Sequence, residues 1–114
     1  MSEFVDYLHE VFAPFGRVIA KPMFGGHGIY HDGLMFGLVA DDELYLKADA
    51  TTRTDFEAAG SVPFEYMKKG KPTNLSYYRA PEAIFDDPDE ALNWARLAYD
   101  AALRGRKPPR STPL

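Results

Sequence analysis

The stretch KPMFGGHGIYHDGLMFG at residues 21–37 has the composition of a ligand-binding loop, with five glycines and two histidines. Glycine-rich loops bind phosphate when they follow a strand and open a helix, because the first N–H groups of the helix then face the anion. Here GGHG leads into an apolar segment and a turn, and the Lys-Ser/Thr pair of a phosphate-binding loop is missing. We therefore interpret Gly25, Gly26 and Gly28 as residues that allow a β-bulge or a close backbone approach.

The two histidines of this stretch are candidate metal ligands, since imidazole is a common ligand of zinc. In a strand, His27 and His31 would share one face but lie roughly 13 Å apart, at about 3.3 Å per residue. A zinc–nitrogen bond is only about 2 Å long, so one ion cannot reach both rings unless the chain folds back sharply. His9 is a third and isolated histidine on the first predicted helix. The sequence therefore predicts no metal site and no cofactor.

Other residues that could act in catalysis have simpler explanations. Ser76 lacks the G-x-S-x-G context of a hydrolase nucleophile. The adjacent acids at 41–43 are typical of a solvated turn, and the acids at 86–90 are those expected where a helix begins. We therefore predict a non-enzymatic protein.

A basic and aromatic cluster occupies the segment FEYMKKGKPTNLSYYR at residues 64–79. Paired strands of this composition can bind phosphates through their cations and stack bases on their aromatic rings. They can equally place the tyrosines in the core and the lysines at a solvated turn that protects a sheet edge. Both alternatives remain open at this point. The residues that we predict as an interaction surface are Lys68, Lys69, Lys71, Tyr78 and Arg79.

The overall composition is that of one soluble globular domain, with 114 residues of which 46% are hydrophobic and 26% are charged. The chain has no cysteine, which excludes disulfides and thiol chemistry. Its N-terminus does not resemble a signal peptide, and no apolar segment is long enough to span a membrane. We therefore expect a cytoplasmic protein that does not insert into a membrane.

Charge is unevenly distributed along the chain. The net charge is −4, but residues 104–114 hold four of the thirteen basic residues and no acid, which leaves nine basic and seventeen acidic residues in 1–103. This balance argues against a basic face that binds nucleic acid across the whole domain. The segment 104–114 also has three prolines and no apolar periodicity. We predict a folded domain at 1–103 and a basic, proline-rich, disordered tail at 104–114.

Apolar periodicity and turn residues predict the elements that must position these side chains. One apolar stripe predicts a first helix, which Pro14 and Gly16 end. Asp32-Gly33 predicts a two-residue hairpin turn, since glycine accepts a positive φ without a Cβ clash. Pro22 lacks an N–H, so its strand is expected at a sheet edge or at a bulge. The strands predicted around these turns are Arg17–Phe24, Gly28–His31, Leu34–Ala40 and Glu43–Lys47.

The second half is predicted to add a helix, a hairpin and a final helix. Asp49 can cap a helix that Gly60 ends, and Asp87 can cap the final helix, with Glu90 at the third helical position. The hairpin between them pairs Phe64–Lys69 with Asn74–Arg79. The resulting order is α-β(3)-α-β(2)-α, with one β segment that the glycines could divide. It predicts a single α+β domain in which an antiparallel meander and a hairpin pack against helices.

Four motifs in this order carry a resemblance to a known family: MFGGHGIY, LYLKAD, FEYMKKGK and SYYRAPE. Together they closely resemble the N-terminal domain family of TfoX (Sxy), the bacterial competence regulators, over about residues 12–103. The resemblance implies the same α-β(3)-α-β(2)-α order that the residues predict independently. It implies no catalytic residues, because the family has none to transfer to this chain.

The resemblance also implies a link to the transcription of DNA-uptake genes, where such regulators are thought to assist a cyclic-AMP receptor protein at promoters. Full-length regulators carry a second, C-terminal domain, whereas this sequence continues into the basic tail, so we expect a stand-alone member. The expected function is a regulatory or protein-interaction module whose partner belongs to the transcription machinery. The alternative is a direct DNA-binding protein that uses the lysine and tyrosine hairpin and the tail. An open sheet edge would also permit a homodimer.

Overall fold

The computed structural model describes residues 3–23, 25–68 and 71–106, and for residues 66–68 and 71–75 it describes the backbone alone. The predicted α+β class is confirmed. The helices are α1 (Glu3–Val11), α2 (Arg53–Ala58), α3 (Ala83–Asp86) and α4 (Pro88–Gly105). The strands are β1 (Ile19–Met23), β2 (Gly26–His31), β3 (Leu34–Ala40), β4 (Glu43–Lys47), β5 (Pro63–Lys68) and β6 (Lys71–Arg79).

The six strands form one antiparallel sheet in the order β1-β2-β3-β4-β6-β5. The predicted meander is therefore β1 to β4, and the predicted hairpin is β5 and β6, which joins the meander through β6. Pro22 lies on β1, an edge strand, where its missing N–H leaves no gap in the ladder between central strands. Four strands precede α2, because the glycines divide one β segment as the sequence allowed: Gly25, with φ of 77°, lies in the short connection between β1 and β2.

Two tight turns set the register of the meander. Asp32 and Gly33 have φ of 48° and 78°, the left-handed pair that a two-residue hairpin between β2 and β3 requires. Asp41 and Asp42 have φ of 52° and 57° and form the next turn without a glycine. Between these turns, the pairing of β2 with β3 shifts at Ile29/Tyr30, which is a β-bulge.

The helices pack on one face of the sheet around a buried apolar core. Phe12, just after α1, meets Phe36 of β3 with ring centroids 5.5 Å apart, and Phe56 of α2 stacks on Tyr78 of β6 at 5.5 Å. The buried stripe of α4 consists of alanines, which allow a close approach of the helix to β3 and β4. The largest fully buried side chains are Leu8, Phe12, Ile29, Phe36, Leu46 and Phe56.

Several predicted boundaries differ from the structure. The regular helix α2 begins at Arg53, because the carboxylate of Asp49 first caps a turn by accepting from the N–H groups of Thr51 and Thr52. Strand β6 begins at Lys71, so three residues of the predicted turn at 70–73 are in the strand. The short helix α3 was not predicted. Helix α4 extends to Gly105, two residues beyond the predicted end of the domain, and the rest of the predicted tail, 107–114, lies outside the described residues.

None of the helices in the described part of the chain is both long and apolar enough to cross a membrane.

Candidate functional site

The sheet has a second face, opposite to the one on which the helices pack. Successive side chains of a strand point to opposite faces, and Leu46 and Tyr78, which pair across β4 and β6, point toward the helices. Their neighbours Tyr45 and Arg79 therefore point to the other side. We call this side the helix-free face. Its described residues are Ile19, Lys21, Met23, Gly26, Gly28, Tyr30, Met35, Leu38, Ala40, Glu43, Tyr45, Lys47, Tyr77 and Arg79.

One row of this face crosses five strands without interruption. The paired residues are, in order, Lys21, Gly28, Leu38, Tyr45 and Arg79. Interstrand spacings of about 4.8 Å place the two ends of the row about 19 Å apart. Leu38, at its centre, is only 7% exposed although no helix covers it. The row therefore has a cation at each end, with a glycine, a leucine and a tyrosine between them.

Two tyrosines of this face each have a lysine above the ring. The ammonium of Lys21 lies 4.8 Å from the ring centroid of Tyr30, and that of Lys47 lies 5.2 Å from the ring centroid of Tyr77. Burial, together with the nearby Tyr30, raises the pKa of Tyr77 to about 12. The phenol of Tyr77 therefore stays neutral at physiological pH, and the cations of these pairs are the two lysines.

Two methionines fill the space above a glycine at the centre of the face. A Cβ at Gly28 would lie 2.8 Å from Sδ of Met23, and 3.0 Å from both Sδ of Met35 and a ring carbon of Tyr30. Because Gly28 has no side chain, these three side chains can lie over its backbone. Methionine is flexible and polarisable, so this part of the face can adapt its shape to a contacting group.

One end of the face is fixed by a charged network. Arg79 pairs with Glu43 at 3.0 Å, and the hydroxyl of Tyr45 donates to the same carboxylate at 3.2 Å. Burial, together with the negative charge of Glu43, raises the pKa of Tyr45. The ring of Tyr45 also meets Phe64 of β5 edge-on, with centroids 4.8 Å apart. These contacts hold Tyr45 and Arg79 in place.

The residues that the sequence grouped as an interaction surface are separated by the fold. Arg79 lies on the helix-free face, whereas Tyr78 lies in the core, where its hydroxyl donates to Glu57 at 3.2 Å. Burial raises the pKa of Tyr78, and the negative charge of Glu57 raises it further. Tyr78 therefore does not belong to a solvent-facing surface. The backbones of Lys68 and Lys71 pair at the end of the second hairpin, and Lys69 lies outside the described residues.

The glycine-rich stretch forms turns and close contacts between backbones. A Cβ on Gly26 would overlap the backbone carbonyl oxygen of Val39, so β2 and β3 could not approach as they do. Gly25 and the pair Asp32-Gly33, in the same stretch, lie at turns. Gly28 lies beneath the two methionines.

The histidines of this stretch have separate surroundings. Nδ1 of His31 donates to the carbonyl oxygen of Arg17 at 2.7 Å, and the ring packs against Phe15 and Tyr99. His27 lines an open hollow of about 440 Å³ between α1 and β1, together with His9. No three His, Asp or Glu side chains within the described ranges are placed so that they could hold a metal ion.

The sequence reasoning missed Lys21, Tyr30, Met35 and Lys47 as members of one surface. A signal existed in β4, where Tyr45 and Lys47 alternate with the buried Leu44 and Leu46. No such alternation is visible in β3, because the bulge opposite Tyr30 interrupts it and both faces of that strand are apolar. The surface becomes apparent only when the pairing of five strands is known.

Other proteins resemble this chain in sequence. The sequence model of the TfoX N-terminal domain matches residues 10–102. The chain is 29% identical over 95 residues to Protein Sxy of Escherichia coli (strain K12), covering 83% of this chain and 46% of that protein. It is 30% identical over 100 residues to DNA transformation protein TfoX1 of Aliivibrio fischeri (strain ATCC 700601 / ES114), covering 84% of this chain and 48% of that protein. The chain thus spans about half the length of these curated relatives, and it belongs to the TfoX N-terminal domain family.

Proposed function

We propose that this domain is a non-enzymatic regulatory module that acts in the cytoplasm and binds a protein partner through the helix-free face. The observation that carries the proposal is the uncovered row from Lys21 to Arg79, with the tyrosines and methionines beside it. Tyrosine, methionine and arginine are enriched at the centres of protein interfaces. A relative that is named a DNA transformation protein supports a role connected with the transcription of DNA-uptake genes.

The shifted pKa values of the described residues support a binding role over a catalytic one. The pKa of Asp49 falls to about 2, chiefly because Arg104 donates hydrogen bonds to its carboxylate at 2.6 and 3.1 Å. This pair ties the end of α4 to the turn before α2. A catalytic acid or base needs a pKa near the working pH, whereas this shift moves the pKa of Asp49 away from neutrality.

Gene expression in the source organism tests the regulatory proposal. A deletion strain is complemented with the wild type, with a Tyr30→Ser/Met35→Ser variant, or with Arg96→Glu, a control on the exposed side of α4. We expect the deletion to change a set of transcripts that the wild type and Arg96→Glu restore and the face variant does not. Immunoblots and circular dichroism must show that all three proteins accumulate and fold.

Two outcomes contradict the proposal. Unchanged transcripts in the deletion strain would count against a regulatory role. Full restoration by Tyr30→Ser/Met35→Ser would count against the helix-free face as the functional surface.

Direct nucleic-acid binding is a second candidate, favoured by the two lysine–tyrosine pairs on the face and by the lysines of the second hairpin. Such binding would weaken steeply with salt, because each phosphate contact releases counterions. Charge reversal at Lys68 and Lys69 should then weaken binding of a labelled DNA duplex. If micromolar protein does not shift the duplex at low salt, this candidate function is excluded.

A further inference from the structure

We propose that the partner of the helix-free face is an acidic protein segment with large apolar side chains between its carboxylates. This proposal rests on the function proposed above, and it adds the chemical character of the partner. The chain has a net charge of −4, yet the described side chains of this face comprise three cations and one carboxylate. The part of the face around the two lysines is therefore locally positive on an acidic protein, whereas Arg79 lies in a hollow with Asp42, Glu82 and Asp86.

The positive charge that a partner would meet comes from the two lysines. Glu43 already pairs with Arg79 at 3.0 Å. No described carboxylate lies within ion-pair distance of the ammonium of Lys21 or Lys47. Both ammonium groups instead lie over tyrosine rings of the face, at 4.8 and 5.2 Å from the centroids. This placement keeps each cation at the surface that a partner would cover, with an apolar ring beneath it.

The positions of the two lysines set the spacing of the partner's carboxylates. Lys21 is on β1 and Lys47 is on β4, with Tyr30, Met35 and Leu38 between them. Three interstrand steps and two residues along a strand separate their Cα atoms by roughly 16 Å. Carboxylates that pair with both would lie about five positions apart in an extended segment or about ten in a helix. The side chains between them must be apolar to cover Met35 and Tyr30.

A second copy of this chain does not supply that chemistry through the same face. When two copies pack these faces against each other, the two-fold axis that relates them can run along the strands or across them. An axis along the strands brings the Lys21 end over the Arg79 end of the other copy. An axis across the strands brings each end over its own counterpart. The axis across the strands opposes cations to cations, which is unfavourable when water is excluded. The axis along the strands brings Lys21 to Arg79, which already pairs with Glu43, so the carboxylate at that end is not free for Lys21.

Single-stranded nucleic acid would need open aromatic rings on which bases can stack. The rings of Tyr30 and Tyr77 each have an ammonium above them, and the ring of Tyr45 meets Phe64 edge-on at 4.8 Å. A base would have to displace these groups, whereas a carboxylate can approach the ammonium groups where they lie. The geometry therefore favours an acidic peptide.

Selection from a random linear dodecapeptide phage library tests the partner's chemistry without a known partner. The library is selected on the full wild-type chain and, in parallel, on Lys21→Glu/Lys47→Glu and on the charge-matched control Arg96→Glu/Arg106→Glu, whose arginines are exposed on and just after α4. We expect wild type and control to enrich peptides with two acids four to six positions apart around large apolar residues. The lysine variant should retain these peptides about tenfold less well.

The strongest peptide is then synthesised with its acids intact and with both acids replaced by lysine. We expect the lysine form to bind at least about tenfold more weakly than the acidic form. Neutral or basic peptides that bind the lysine variant equally well would overturn the acidic chemistry, while the expression test could still support the face. Failure to enrich any face-dependent peptide would overturn it too. Tighter, face-dependent binding of a labelled oligo(dT) 12-mer would overturn it in favour of nucleic acid.

Discussion

Gly26 and Gly28 are two residues apart on β2, yet they lack side chains for different reasons. A Cβ on Gly26 would overlap the backbone carbonyl of Val39, and a backbone cannot move aside without disturbing the ladder. A Cβ on Gly28 would meet the ends of two methionine side chains and a tyrosine ring edge. Methionine can adopt other rotamers at little cost. The same substitution at these two positions therefore has different consequences.

We predict that Gly26→Ala destabilises the domain by about 3 kcal/mol, since overpacking a rigid contact costs this much. Gly28→Ala should cost about 1 kcal/mol or less, because the methionines can move. Gly25→Ala places alanine at φ of 77° with open space around it, so its cost should be about 1–2 kcal/mol from backbone strain alone. Urea denaturation of the three variants gives these differences. Equal destabilisation by Gly26→Ala and Gly28→Ala would contradict the close approach of β2 to β3.

Asp49 provides a prediction for acid pH. The pKa of Asp49 is lowered to about 2, chiefly by the hydrogen bonds that Arg104 donates. Burial opposes this shift, and the N–H groups of Thr52 and Thr51, which donate to the carboxylate, contribute to it. Because the folded-state pKa lies below the ordinary value of about 3.9, the pair stabilises the fold fully above pH 4. This contribution is lost as the pH falls from about 4 to about 2.

We expect Arg104→Gln to raise the pKa of Asp49 toward its ordinary value, as measured by NMR titration of the side-chain carboxyl carbon. The melting temperature of the variant should be lower than that of the wild type at neutral pH, and the difference should vanish near pH 2. Arg96→Gln, on the same helix, is the control and should leave the titration of Asp49 unchanged. A pKa of Asp49 that stays near 2 in Arg104→Gln would show that the cap bonds alone lower it.

At the scale of elements, the bounds of strands that local turns determine were the most clearly predicted from the sequence. The bounds of β3 and β4 agree with the prediction, because Asp32-Gly33 and Asp41-Asp42 mark both ends of β3 and the start of β4. The fold class follows from the same signals. Helix α3 has four residues, too few for a periodic pattern to be visible.

The face of each tyrosine could not be predicted in the same way. Tyr77 and Tyr78 are neighbours on β6 and lie on opposite faces, and β6 pairs with β4 through residues 30 to 34 positions apart in the chain. Periodicity within one strand says that neighbours alternate, but it does not say which of them is buried. That choice depends on which side of the sheet the helices pack, and only the complete fold determines it.

Helix α4 offers a prediction about its cap. The carboxylate of Asp87 accepts from the N–H of Asp89 at 2.9 Å, as expected of an N-cap. The N–H of Asp87 donates to the carbonyl of Ala83 at the end of α3, so this donor does not need the side chain of Glu90. The sequence predicted Asp87 and Glu90 together at the start of this helix. The cap therefore needs only the contact made by Asp87.

We predict that Asp87→Ala costs about 1 kcal/mol of stability, because the first turn of α4 loses its acceptor. For a domain of this size the loss corresponds to a fall of about 4 °C or more in the melting temperature. Asp87→Asn is the matched control, since asparagine caps nearly as well, and its melting temperature should stay close to that of the wild type. Equal losses in both variants would mean that the negative charge at the helix start, rather than the cap bond, stabilises α4.

At the scale of the whole molecule, the two faces of the sheet have different roles. The helical side contains the core, and Arg104 at the end of α4 ties this side to the turn at Asp49 across 55 positions of the chain. The helix-free face carries flexible and aromatic side chains with two lysines above them. Changes to the lysines, tyrosines and methionines of this face should therefore affect binding more than folding, whereas changes at the end of α4 should affect folding.

This division predicts where the folded domain ends. A chain truncated after Arg106 keeps all of α4 and the pair of Arg104 with Asp49, so its melting temperature should equal that of the full chain. A chain truncated after Leu103 loses that pair and the last residues of α4. Its melting temperature should fall at least as far as that of Arg104→Gln, as measured by differential scanning calorimetry. If truncation after Arg106 lowers the melting temperature as much as truncation after Leu103, residues 107–114 belong to the folded domain and the predicted tail is wrong.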